Sequence, residues 1–219
     1  MRHPLTIAVA QPAVGADAHA KAIREAQARL VVFPELSLTG YELDAAPVDD
    51  FAAISSACAE ANAIALVGAP VAGDHIATVR VDADGAEVVY RKSFLGGDEL
   101  TRFTPGPGPV AIDVDGWRVG IGICKDTGVT QHIEDTAALG VDLYVAGLVH
   151  HDHELDELEA RAERIARACE SYVAFASYAG ATGGGYERTA GSSAIYSAGG
   201  RALARAGAEP GGLARFTLT

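Results

Sequence analysis

Apolar residues arrive along this chain in short blocks, and the blocks follow two different periods. Leu5–Ala10, Leu30–Phe33, Ile64–Gly68, Asp142–Ala146 and Val173–Tyr178 are short, mostly apolar runs. Runs of this length predict strands buried on both faces. Between them the spacing becomes helical. Ala22, Ile23, Ala26 and Leu30 suggest a helix over His19–Arg29. Phe51, Ile54, Cys58 and Ala61 step by 3, 4 and 3 and predict a helix over Asp49–Ala61. Thr130–Leu139 reads as a helix ended by Gly140. Leu155, Leu158, Ala162, Ile165 and Cys169 predict a longer amphipathic helix from Glu154 to about Ser171.

Two hairpin signals interrupt this alternation. Ile76–Val81 and Glu87–Arg91 flank Asp82-Ala83-Asp84-Gly85, and Val110–Val114 and Trp117–Ile123 flank Asp115-Gly116. In the strand ending at Ile123, the apolar residues Val119, Ile121 and Ile123 alternate with Gly120 and Gly122. One face therefore packs, and the other lets a neighbour approach the backbone closely. Further strands are expected near Ser193–Tyr196, Arg201–Ala204 and Leu213–Leu218. No linker, repeat or composition break divides residues 1–219, so the expectation is one α/β domain. Hairpins mixed with strand–helix units suggest two sheets enclosed by helices.

Composition narrows the class. Of the 219 residues 49% are apolar, enough for a sizeable core and incompatible with disorder. The net charge of −12 argues against nucleic acid or anionic membrane as partners. The three cysteines, Cys58, Cys124 and Cys169, lie far apart, without a CxxC pair. They read as free thiols in a reducing compartment. The apolar run near the start is too short for a signal peptide, and no run reaches membrane-spanning length, so the expected location is cytoplasmic.

Three strand ends carry candidate chemistry: Phe33-Pro34-Glu35, Tyr90-Arg91-Lys92 and Ile123-Cys124-Lys125-Asp126. They bring an acid, an amine and a thiol to the loops where α/β folds place their sites. A thiol needs a base and positive potential to act as a nucleophile. A carboxylate can serve as that base and later activate water, and an ammonium can stabilise an oxyanion. Spacing alone leaves open whether the three converge. Taken singly, each reads more readily as a buried thiol, an exposed loop acid or a solvated lysine.

Their shared context resembles the nitrilase superfamily, the carbon–nitrogen hydrolases. The matching pieces are Val32-Phe33-Pro34-Glu35 with Thr39-Gly40-Tyr41, then Tyr90-Arg91-Lys92, then Gly120-Ile121-Gly122-Ile123-Cys124 with Asp126. Weaker matches are Ala8-Val9-Ala10-Gln11 and Gly191-Ser192-Ser193-Ala194-Ile195. The pieces occur in the family's order across nearly the whole chain. The resemblance implies a four-layer αββα sandwich and a cofactor-free, metal-free hydrolase. It implies Cys124 as nucleophile, Glu35 as general base, Lys92 as oxyanion stabiliser and Glu99 as an additional active-site acid, with Asp98 the competing assignment. The implied substrate is a small linear amide, with nitriles and carbamoyl compounds as alternatives and a catalytically silent assembly subunit as the reading of another class. The resemblance further implies a homodimer or higher homo-oligomer built on the outer helices.

The chain also departs from the family. Lys125 stands where an aromatic residue is usual, Phe94 where His is frequent, and Thr127-Gly128-Val129-Thr130 replaces a common Phe-Pro-Glu. Tyr41, Phe94, Lys125 and His150 are the candidate substrate-binding residues. Lys125 is either a cation that raises thiolate character and favours an anionic amide, or an ion-pair partner of Asp126. The cluster His150-His151-Asp152-His153-Glu154 is read as a loop or pocket rim rather than a metal site. Gly183-Gly184-Gly185-Tyr186 is read as a flexible loop.

Overall fold

The computed structural model describes residues 3–219; Met1 and Arg2 lie outside the described residues. Two six-stranded sheets stack face to face. The first contains β1 (Leu5–Gln11), β2 (Leu30–Val32), β3 (Ile64–Val71), β4 (His75–Asp82) and β5 (Gly85–Arg91). The second contains β6 (Val110–Val114), β7 (Trp117–Ile123), β8 (Leu143–Leu148), β9 (Tyr172–Ser177), β10 (Ala194–Tyr196) and β11 (Ala202–Arg205). The last strand, β12 (Gly212–Leu218), returns to the first sheet and pairs antiparallel with β1. Helices α1 (Ala16–Ala26) and α2 (Ala52–Ala61) cover the first sheet; α3 (Thr130–Ala138) and α4 (Leu155–Cys169) cover the second.

Strand alternation sorts the side chains into three apolar layers. Leu5, Ile7, Val9, Leu30 and Val32 point inward and meet Val119, Ile121, Ile123, Leu143 and Val145 between the sheets. The intervening residues Ala8, Ala10, Val31 and Phe33 face α1 and α2, meeting Ile23, Ile54 and Cys58. On the other side Tyr144, Ala146, Val173 and Phe175 face Leu158, Ala162 and Ile165 of α4. Both faces of each central strand are thus buried, as their continuous apolar runs require. The αββα sandwich expected from the resemblance is the observed fold.

The two central trios, β1-β2-β3 and β7-β8-β9, are parallel, and hairpin strands flank them. Asp115 and Gly116, which turn β6 into β7, both have positive φ (53° and 84°), the signature of a type I′ turn. The glycine face of β7 admits α3 and a side chain of β8: a Cβ on Gly120 would lie 2.7 Å from Thr136 Cγ2 of α3, and one on Gly122 2.1 Å from the Tyr144 hydroxyl of β8. The weak motifs at the two ends of the chain meet across the sandwich. Ser193 N–H donates to Gln11 Oε1 at 3.1 Å, while Gln11 Nε2 donates to the carbonyls of Gly207 and Glu209.

Some boundaries differ from the sequence expectation. Helix α1 begins earlier and stops at Ala26, because Gln27 adopts a left-handed conformation. Strand β3 continues past Gly68, the expected end, through Pro70 to Val71.

Candidate active site

Four segments that follow strand ends converge on one cavity of about 280 Å³. Its lining includes Tyr41, Lys92, Glu99, Cys124, Lys125 and Tyr186. A larger groove of about 350 Å³ runs between α1 and β12, but its lining has neither a nucleophile nor a buried acid.

Glu35 follows β2 in a turn that both sheets hold. A Cβ on Gly68 of β3 would lie 2.2 Å from the Pro34 carbonyl oxygen, and one on Gly147 of β8 would lie 2.7 Å from the Glu35 nitrogen. Only glycine at both positions lets the turn sit this close to the two sheets. Lys92 follows β5, where backbone hydrogen bonds to Ile76 and Gly106 fix it. Its side chain is 2% exposed. Nζ donates to Glu35 Oε1 and to Glu99 Oε1, each at 2.6 Å. Glu99, on a short 3₁₀ turn, also accepts from the Tyr41 hydroxyl at 2.6 Å and from Gly96 N–H at 2.8 Å. Its neighbour Asp98 is exposed on the rim, so the buried carboxylate is Glu99.

Cys124 caps β7 with φ of +41°, a left-handed conformation that is strained for a residue with a Cβ. Asp126 stabilises this turn. Its carboxylate accepts from Ile123 N–H (3.0 Å), Phe94 N–H (2.9 Å) and the Tyr90 hydroxyl (2.8 Å). These bonds tie the thiol-bearing turn to the segment that carries Lys92. The thiol donates to the Val149 carbonyl at 3.4 Å.

Burial dominates the electrostatics. It pushes the Glu35 carboxyl up to about 7, against the opposing pull of Lys92 and with a further upward push from Glu99. Burial and the Glu35 charge raise the Cys124 thiol, and Lys92 opposes them. For Lys92, burial works against the charged form, but Glu35, Cys124 and Glu99 outweigh it and raise its pKa. The resting cluster is therefore a firm ammonium, a thiol and a carboxyl poised near neutrality. Glu35 Oε2 is buried and has no hydrogen-bond partner. That oxygen remains available to a thiol or a water.

The other predicted residues separate. Tyr41 and Lys125 line the cavity. Lys125 is exposed and donates to the Leu95 carbonyl at 2.6 Å rather than pairing with Asp126, whose oxygens are taken up by the donors named above. Phe94 does not line the cavity; its ring stands edge-on to His132, at 6.3 Å. His150 is buried against Cys124 instead of sitting at the rim. Its neighbour His151 stacks on Tyr186 and on His153, and among the described residues no cluster of His, Cys, Asp and Glu has the makings of a metal site. Cys58 and Cys169 are buried in the outer layers.

Sequence reasoning missed the part played by Tyr186. The glycine run before it lies against Tyr41, since a Cβ on Gly184 would meet the Tyr41 ring at 2.6 Å, and Tyr186 packs edge-on to that ring at 5.1 Å. An aromatic residue directly after three glycines was the available signal. The buried His132, hydrogen-bonded to Tyr90 at 2.9 Å, was also missed; its spacing from Thr136 on the helix facing Gly120 and Gly122 would have marked it.

Comparison with known proteins agrees with this architecture. The family model described as "Carbon-nitrogen hydrolase" matches residues 8–218. A curated relative, "Hydrolase in pqqF 5'region" of Pseudomonas protegens, is 29% identical over 181 residues. The match covers 74% of this chain and 62% of that protein, less than two thirds of the relative's length. XC1258 from Xanthomonas campestris, a CN-hydrolase superfamily protein, superposes with a TM-score of 0.85 at 19% identity, covering 99% of this chain and 91% of that one. Nit3 of Saccharomyces cerevisiae, a nitrilase-superfamily member, gives 0.83 at 19% identity, with coverage of 98% and 90%. The amidase of Nesterenkonia sp. AN1 gives 0.82 at 22% identity, again covering 98% and 90%. With the family model spanning almost its whole length, the chain belongs to the carbon–nitrogen hydrolase family.

Proposed function

We propose that this carbon–nitrogen hydrolase cleaves a small linear amide through a thioester on Cys124. The observation that carries the reading is the buried Glu35–Lys92–Glu99 ion cluster opening onto the same cavity as the thiol. In acylation the Cys124 thiol gives its proton to Glu35 and sulfur attacks the amide carbonyl carbon. Lys92 commits two of its three protons to Glu35 and Glu99 and has one left for the developing oxyanion. The Lys125 backbone N–H is the second donor that the family resemblance implies. The C–N bond breaks and the amine leaves with the proton from Glu35. Glu35 then takes a proton from water, hydroxide attacks the thioester, and sulfur departs and recovers that proton. Glu99 and Tyr41 hold Lys92 in place throughout.

Lys125 supports an anionic amide as substrate. Its ammonium lines the cavity bonded only to a backbone carbonyl, which leaves charge for a substrate carboxylate. We further propose that the protein works as a homo-oligomer. The activity is tested by ammonia release from a panel of short amides, carbamoyl compounds and nitriles. Release from linear amides supports the reading, and release from nitriles alone overturns it.

A further inference from the structure

A second titratable side chain reaches the Cys124 sulfur. His150 follows β8, the parallel neighbour of β7, and its Nε2 lies 4.0 Å from Sγ. Its Nδ1 lies 3.5 Å from Glu154 Oε2, which the His151 N–H also holds at 2.8 Å. A carboxylate at Nδ1 favours the tautomer with the proton there and leaves the Nε2 lone pair facing sulfur. Burial and the nearby Arg161 lower the His150 pKa to about 4, with Glu154 and Glu157 opposing, so the ring is neutral at pH 7. The Val149 carbonyl accepts a hydrogen bond from the thiol but is not a base; an imidazole can take the proton. Catalytic hydrogen bonds are commonly long in an empty site and shorten with substrate bound.

We propose that His150, oriented by Glu154, is a second proton acceptor for the Cys124 thiol. The inference rests on the reading of Cys124 as the nucleophile. By this route the S–H bond breaks, its electron pair stays on sulfur, and the proton moves to Nε2. The imidazolium so formed is balanced by the Glu154 carboxylate. Sulfur attacks the carbonyl carbon, and the proton passes from Nε2 to the departing nitrogen as the C–N bond breaks. Glu35 takes no part in this transfer and keeps its role in activating water.

The test is the rate of Cys124 alkylation by iodoacetamide at pH 7, followed by peptide mass spectrometry. Cys58 and Cys169, both buried in the outer layers away from the cavity, are internal references. His150→Gln is expected to slow Cys124 about tenfold, less than the full effect of a catalytic base because Glu35 remains. Glu35→Gln should keep Cys124 faster than the reference cysteines, and the double variant should lose that advantage. Glu154→Gln, altering a half-buried carboxylate, should slow Cys124 with little change in melting temperature. A folded His150→Gln that alkylates like wild type overturns the proposal, as does a Glu35→Gln protein already at the reference rate. If His150→Gln fails to fold, an unchanged rate in Glu154→Gln overturns it. A wild-type Cys124 no faster than Cys58 and Cys169 removes the nucleophile reading itself, a result distinct from the others.

Discussion

Replacing Lys92 by Met tests whether the buried ion cluster has the charges assigned to it. Lys92 is 2% exposed, and it is the ammonium bonded to both Glu35 and Glu99, each also nearly fully buried. Methionine keeps most of the volume and removes the charge, stranding two carboxylates. Removing one partner of a buried ion pair typically costs about 3–5 kcal/mol. For a chain of this size that corresponds to a fall in Tm of roughly 6–20 °C. The loss must also depend on pH. Glu35 already sits at about 7 in the folded protein against an ordinary 4.5, so the folded state binds the proton more tightly than the unfolded state. A carboxyl raised in this way makes stability fall as pH rises between the two values. Without the opposing pull of Lys92 the Glu35 carboxyl rises further, so the fall extends to higher pH. Thermal unfolding by circular dichroism should therefore show a large Tm loss at pH 8 and a smaller one at pH 5.5. Adding Glu35→Gln and Glu99→Gln to Lys92→Met removes the stranded charges and should recover part of the loss. A variant as stable as wild type at pH 8, or a loss equal at both pH values, would refute the charge assignment.

Other consequences are as direct. On an amide substrate kcat should rise with pH through about 7, because Glu35 must be ionised to activate water; a rate that is flat from pH 5 to pH 8 contradicts that role. Lys125→Ala should raise KM for an anionic amide more than for a neutral amide of equal length, and equal effects on both would show that Lys125 does not read substrate charge. Light scattering at micromolar concentration should find a dimer or larger oligomer; a monomer would remove the oligomer proposal.

Much of the fold was legible because each layer leaves its own period in the chain. Strands with both faces buried read as continuous apolar runs, and α4 shows its inward stripe of Leu158, Ala162, Ile165 and Cys169. Both hairpins were visible at Asp82–Gly85 and Asp115-Gly116. Element ends were less legible where one residue's conformation decides them, as Gln27 does for α1. At the site, the ordered motifs singled out Glu35, Lys92 and Cys124, and the structure brings their segments to one cavity. Glu99 was preferred to Asp98 on the resemblance alone; the turn that buries one acid and exposes its neighbour leaves no period in the chain. The partner of Lys125, the depth of His150 and the position of Phe94 depend on side-chain direction after a strand end. No local period records that direction, because loop geometry sets it.

The central claim is a covalent intermediate on Cys124. The measurement that meets it most directly is acid quenching during turnover of a reactive short amide, followed by peptide mass spectrometry. The account predicts that the Cys124 peptide carries the substrate's acyl group, its mass increased by that of the amide less ammonia. It predicts that Cys124→Ala shows neither adduct nor ammonia release, with a Tm close to wild type. Ammonia release undiminished in Cys124→Ala, or an acyl group found on another residue, would contradict it.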